Sequence, residues 1–128
     1  MKRKIYLLPL ALLSTLILIT WGCEKEKDED VCEKFELTAK VQCGPATLCC
    51  PTDGGNCYIV NPDGADFYCD IKNATTSDPD GCAAAEAAYI AMFCSKGISN
   101  AEQEIVVKEL RLHFRKLMDE ARTYSVCN

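Results

Sequence analysis

The chain changes its hydrophobic pattern several times along its length. Residues 5–19 form an apolar run broken only by Pro9, Ser14 and Thr15. Residues 35–41 alternate apolar and polar, which predicts a strand with one buried face. Residues 57–60 and 65–69 are two short apolar runs around Asn61-Pro62-Asp63-Gly64. Pro62 presets the first turn angle and Gly64 can take positive φ, so a hairpin with a three-residue loop and a glycine bulge is predicted. In that register Cys57 and Cys69 lie opposite each other, and a cross-strand bridge between them is possible. Residues 44–56 hold two prolines and three glycines and read as loop.

Two helices are predicted after this region. The first spans 79–96, with Asp78 as N-cap and Pro79 in the first helical position. Six alanines and a single internal charge, Glu86, predict a mostly buried helix. Gly97 followed by Ile98 predicts a Schellman stop. Ser99-Asn100-Ala101-Glu102 is a capping box that opens the second helix, expected to reach about Tyr124. Its apolar stripe is Val106, Leu110, Phe114, Leu117, Ala121 and Tyr124. The two helices are expected to pair antiparallel.

The apolar run at 5–19 is preceded by Lys2, Arg3 and Lys4 and followed by Thr20-Trp21-Gly22-Cys23 and an acidic stretch at 24–30. It suits a signal-peptide core and is short of the roughly 20 residues that a membrane span needs. The arrangement resembles a bacterial lipoprotein precursor, and the acidic run after the cysteine resembles the export signals of surface lipoproteins in the Bacteroidota. That resemblance implies a signal peptide over 1–22 and a diacylglyceryl group on Cys23. It also implies an outer-membrane or cell-surface location in a Gram-negative bacterium, with palmitate-type acyl chains holding the protein on the bilayer. Thr20 and Trp21 depart from the usual aliphatic and small residues before the cut. Secretion after cleavage near the same place is the alternative. Residues 23–30 would form the lipidated start and a solvated acidic tether, and 31–128 a single domain.

Ten cysteines in 128 residues place the chain among disulfide scaffolds. With Cys23 lipidated, the candidates for bridges are Cys32, Cys43, Cys49, Cys50, Cys57, Cys69, Cys82, Cys94 and Cys127. Nine candidates allow four bridges and a spare thiol, whereas an unlipidated Cys23 allows five bridges. Adjacent Cys49 and Cys50 should take different partners. Cys82 and Cys94 are about 18 Å apart on one helix, too far to join. Each must reach to the N-terminal region, or one of them is the spare thiol. The order from Cys32 to Cys69 also resembles a knottin. That resemblance implies Cys32–Cys50, Cys43–Cys57 and Cys49–Cys69.

Other chemistry finds little support. There is no C-x-x-C pair for zinc, and Ala46 stands where a thioredoxin-like motif needs its second cysteine. Asp78-Pro79-Asp80-Gly81 resembles the start of an EF-hand loop, but Ala87 occupies the place of the bidentate Glu. The acids Asp63, Asp66, Asp70, Asp78 and Asp80 could hold calcium loosely, though turn and cap roles account for most of them. The lone His113 lacks a nucleophile to activate. The net charge of −5 is the wrong sign for nucleic acid. The expected fold is a small disulfide-rich α+β domain, its strand and β-hairpin region stapled to a helical hairpin. No cofactor, metal site or catalytic residue is identified. The expected function is a non-enzymatic binding or interaction module anchored to the lipid bilayer, with Tyr58, Phe67 and Tyr68 as a possible contact patch. A secreted inhibitor or ligand, or a thiol-active protein using an odd cysteine, is the alternative.

Overall fold

The computed structural model describes residues 29–37 and 42–126. The signal segment, Cys23, most of the acidic tether and Cys127 lie outside the described residues. Four strands, β1 (Val31–Phe35), β2 (Ala46–Cys50), β3 (Tyr58–Ile59) and β4 (Phe67–Tyr68), form an antiparallel meander in that order. A 3-10 turn at Ile71–Asn73 leads toward two helices, α1 (Ala83–Phe93) and α2 (Asn100–Val126). The molecule is a small disulfide-rich α+β fold, as its patterning predicts.

Strand β1 starts four residues earlier than the alternation suggests. Val31 and Phe35 point inward, but Glu33 shares their face, and this acid hides the period in the sequence. Glu33 sits at the edge where β1 meets α2, so its carboxylate keeps partners: Lys116 Nζ at 3.0 Å and His113 Nδ1 at 3.5 Å. The loop expected at 44–56 is corrected in its first half, which forms β2. Ala46, Leu48, Cys49 and Cys50 are all buried there. A strand covered this thoroughly has no polar alternation to display, and its flanking Gly and Pro residues dominate the local signal.

The hairpin of β3 and β4 forms in the expected register, with Tyr58 opposite Tyr68 and Ile59 opposite Phe67. The Cys69 amide donates to the Cys57 carbonyl at 2.8 Å, so these cysteines do lie opposite each other. Its loop differs from expectation, because Gly64 does not take positive φ. Asn61 organises the turn with its side chain instead. Its Oδ1 accepts the Asp63 amide at 3.2 Å, and its Nδ2 donates to the Ala65 carbonyl at 3.3 Å.

Helix α1 begins at Ala83, four residues after the predicted start. Gly81 takes φ +67° and carries the chain tightly past the end of the hairpin, where Asp70 N–H donates to its carbonyl at 2.7 Å. Asp78 still caps the helix from a distance, accepting the Cys82 and Ala83 amides at 3.0 Å each. The far end also comes early. Cys94 is extended and pairs with Cys43, so Gly97 (φ +99°) turns the connection rather than stopping the helix. The capping box of α2 is as expected: Ser99 Oγ accepts the Glu102 amide at 3.2 Å, and Glu102 Oε2 accepts the Ser99 amide at 2.6 Å. That contact holds the Glu102 carboxyl below its ordinary range.

The core lies between one sheet face and both helices. Val106, Leu110, Phe114, Leu117 and Ala121 bury the predicted stripe of α2, and Met118 joins them. From the sheet come Val31, Leu48 and Ile59, and from α1 come Ala85 and Tyr89. The Tyr89 hydroxyl donates to the Gly44 carbonyl, and burial pushes its pKa up to about 12.

Four bridges join the described cysteines: Cys32–Cys49, Cys43–Cys94, Cys50–Cys57 and Cys69–Cys82. The knottin pairing is overturned. Cys49 lies directly across the β1–β2 ladder from Cys32, which brings their Cα atoms to 4.1 Å. The potential Cys57–Cys69 bridge does not form either. Cys57 reaches back to Cys50 and Cys69 reaches forward to Cys82. Cys49 and Cys50 take different partners, and Cys82 and Cys94 both staple α1 to the sheet region, as expected.

Candidate functional site

Helices α1 and α2 both rest on the sheet, and their facing flanks stay apart. They run antiparallel: Asp80, just before α1, pairs with Arg115 at 3.3 Å, and Glu86, inside it, pairs with the earlier Arg111 at 3.1 Å. Between them lies an open groove of about 1060 Å³. Ala83, Ala87, Ile90 and Ala91 line it from α1, and Val107, Lys108, Arg111, Leu112 and Arg115 from α2.

The groove follows from the composition of α1. Its inner face docks through Ala85, Glu86 and Tyr89, while Ala83, Ala84, Ala87 and Ala91 are exposed. The expectation of a mostly buried first helix is therefore corrected. Alanine side chains on the flank are too short to reach α2, and a helix held to the sheet by bridges near both its ends cannot slide over to close the gap. On the other wall, Leu112 is 71% exposed.

Glu86 is the most unusual residue of this region, a carboxylate that is only 1% exposed. Arg111 Nε lies 3.1 and 3.2 Å from its two oxygens. Burial raises the Glu86 pKa, and the guanidinium opposes that rise without cancelling it. The Arg111 pKa moves up, chiefly through this same hydrogen bond. Arg111 is held on its outer side by the Ser77 carbonyl at 3.4 Å. The pair is a fixed charged floor between the alanine wall of α1 and the mixed apolar and basic wall of α2. The alanine run and its lone Glu86 were the available sequence signals. Nothing in the local pattern says that a glutamate flanked by alanines is the inward residue.

A second polar cluster sits on the opposite flank of α2. His113 stacks on Phe35 with ring centroids 3.8 Å apart and approaches Glu33. Lys116 and then His113 hold the Glu33 carboxyl below its ordinary range against the opposing effect of burial. The imidazole is thus a packing and pairing group, which its place on a charged helix face does not reveal.

The aromatic hairpin residues divide. Phe67 meets Phe93 edge-on at 6.4 Å, while Tyr58 and Tyr68 pack against each other at 5.0 Å. Tyr68 remains 59% exposed. The Tyr58 hydroxyl donates to Asp30 at 2.6 Å, which pushes its pKa up to about 12. Four of the five acids considered for calcium, all but Asp63, have separate tasks. Asp66 accepts the Asn61 amide, Asp70 accepts the Asn73 side chain, Asp78 caps α1 and Asp80 pairs with Arg115. Among the described residues no three His, Cys, Asp or Glu side chains converge as a metal site would require. No described helix is long and apolar enough to cross a membrane. No family model matches the chain, and no curated protein or solved structure shows a match to it.

Proposed function

We propose that the protein is an exported lipoprotein, anchored to a bilayer through acylated Cys23, whose domain works as a non-enzymatic binding module. The single observation that carries the binding reading is the groove between α1 and α2. It joins an alanine-lined wall on α1 to a mixed wall of Val107, Leu112 and basic residues on α2 across a fixed Glu86–Arg111 floor, with α1 stapled at Cys82 and Cys94. The basic leader, the apolar core and the cysteine before an acidic run support the anchoring. Two or three acyl chains suffice for stable attachment, since each buried CH₂ contributes about 0.8 kcal/mol.

Amine labelling in the native membrane tests the groove. Lys108 lines it, and Lys72 is an exposed reference on the 3-10 turn. Lys108 should be protected relative to Lys72, and equal labelling of the two overturns the binding reading. The anchor is tested by the intact mass of the membrane-extracted protein. A mass for residues 23–128 plus diacylglyceryl and acyl groups is expected. An unlipidated mass favours the secreted inhibitor or ligand instead.

A further inference from the structure

The bridges of the domain narrow the cysteine count to one open pair. Among the described residues Cys32, Cys43, Cys49, Cys50, Cys57, Cys69, Cys82 and Cys94 all pair with one another, and no described cysteine is free. Of the ten sulfurs in the sequence, those of Cys23 and Cys127 are left. The bridge beside the last turn of α2 is Cys50–Cys57, and both of its cysteines are buried. A thiolate on Cys127 therefore has little access to exchange into it.

The fold brings the approaches to Cys23 and Cys127 to one place. Val31 opens β1 directly across the ladder from Cys50. Ser125, in the last turn of α2, shares a small cleft of about 100 Å³ with Cys50 and Pro51. The start of β1 and the end of α2 thus both lie beside Cys50. Cys23 stands eight residues before Val31, a stretch that reaches about 27 Å when extended. Cys127 follows Ser125 by two residues. Each sulfur can therefore be brought to the other. A linker this short sets an effective concentration of about a millimolar, far above that of a second copy in dilute solution, so closure within one chain wins over linking two chains.

We propose that the Cys23 sulfur has two exclusive fates: a thioether to a diacylglyceryl group, or a fifth disulfide to Cys127. The proposal goes beyond the anchoring reading, because it assigns the bond that the unacylated chain makes. Closing the bridge joins Cys23 Sγ to Cys127 Sγ. Two protons and two electrons pass to a disulfide oxidant such as oxidised glutathione, which leaves as two thiols. A thioether sulfur has no thiolate to contribute, so the acylated chain keeps Cys127 as a thiol.

The test exports residues 23–128 behind a leader whose cleavage does not require acylation, and alkylates the product with iodoacetamide without reduction. A mass with five bridges and no alkyl group is expected, and a digest should release the Cys23 and Cys127 peptides joined. Two alkyl groups, a glutathione adduct, a two-copy mass, or either cysteine joined to any other sulfur overturns the proposal. In the same exported form, Cys127→Ser should take one alkyl group, at Cys23, with the four bridges of the domain unchanged. A Cys23 that stays unreactive in this variant has another partner and also overturns it. The native membrane extract separates this inference from the anchoring reading. An acylated chain with one alkyl group at Cys127 agrees with both. An acylated chain with Cys127 blocked defeats the exclusive pairing and leaves the anchor standing. An unacylated chain that carries the Cys23–Cys127 link defeats the anchor and leaves the pairing standing.

Discussion

At the scale of single residues, the Glu86–Arg111 pair and Gly81 are the most constrained points. The two halves of the pair are not equivalent, because Glu86 is buried and Arg111 is about one-third exposed at its side chain. Arg111→Ala would leave a carboxylate in a dry site, and breaking such a pair costs about 3–5 kcal/mol. Glu86→Gln should cost much less, because water can reach the guanidinium. Urea unfolding of both variants checks the order. In Arg111→Ala the Glu86 pKa should rise further. A raised folded pKa means that the folded state binds more protons, so the variant's stability should fall as pH climbs through that window. Gly81 is fixed for a different reason. A Cβ there would stand 2.1 Å from the Asp70 carbonyl oxygen, at a φ of +67°. Gly81→Ala combines left-handed strain with a backbone clash and should lose more than about 3 kcal/mol, readable as a lowered urea midpoint.

At the scale of elements, the contact of β1 with α2 has a pH signature. Lys116 and His113 lower the folded pKa of Glu33. Its contribution is therefore present above the ordinary carboxylate pKa and is lost as pH falls through the folded value. Melting temperatures taken from about pH 7 down to about pH 3 should fall more steeply for the unaltered chain than for Glu33→Gln, and parallel curves would contradict the assignment. This same residue shows where sequence reading succeeds and fails. The α2 stripe and its capping box were legible because an amphipathic helix repeats its pattern over many turns. The β3–β4 hairpin was legible because its turn residues are distinctive. Strand β1 was displaced because Glu33 occupies an inward position, and β2 was missed because a strand buried along its length shows no period. The ends of α1 were misplaced because tertiary contacts set them: Gly81 against Asp70, and Cys94 against Cys43. The groove was the least legible feature. It depends on how far apart two helices dock, which the pattern of neither one encodes.

At the scale of the molecule, bridges tie the strands and α1 together, while α2 is held by its buried stripe. Cys43–Cys94 closes a loop of 51 residues in sequence separation, and Cys50–Cys57 a loop of only 7. On loop entropy alone, paired replacement by Ala should cost about 4 kcal/mol for the first and about 2.5 kcal/mol for the second. Cys50 and Cys57 are buried, so lost packing adds to the smaller figure. Chemical denaturation of the two double variants measures the balance. A larger loss at Cys43–Cys94 means that chain closure dominates, and the reverse order means that the interior does.

The connectivity has a consequence for how the molecule is made. Cys43 lies between Cys32 and Cys49, so the Cys32–Cys49 and Cys43–Cys94 bridges interlace. On the proposed export with Cys23 acylated, a chain threaded N-terminus first presents Cys32 and Cys43 to an oxidant before Cys49 arrives. Pairing cysteines strictly as they emerge would join Cys32 to Cys43, which is wrong for both. Cys43 must then wait as a thiol until its partner, 51 residues later, has crossed. Under that proposal, maturation needs either early zipping of the β1–β2 ladder or an enzyme that reshuffles mispaired sulfurs. Oxidative refolding should speed up when a disulfide isomerase is added.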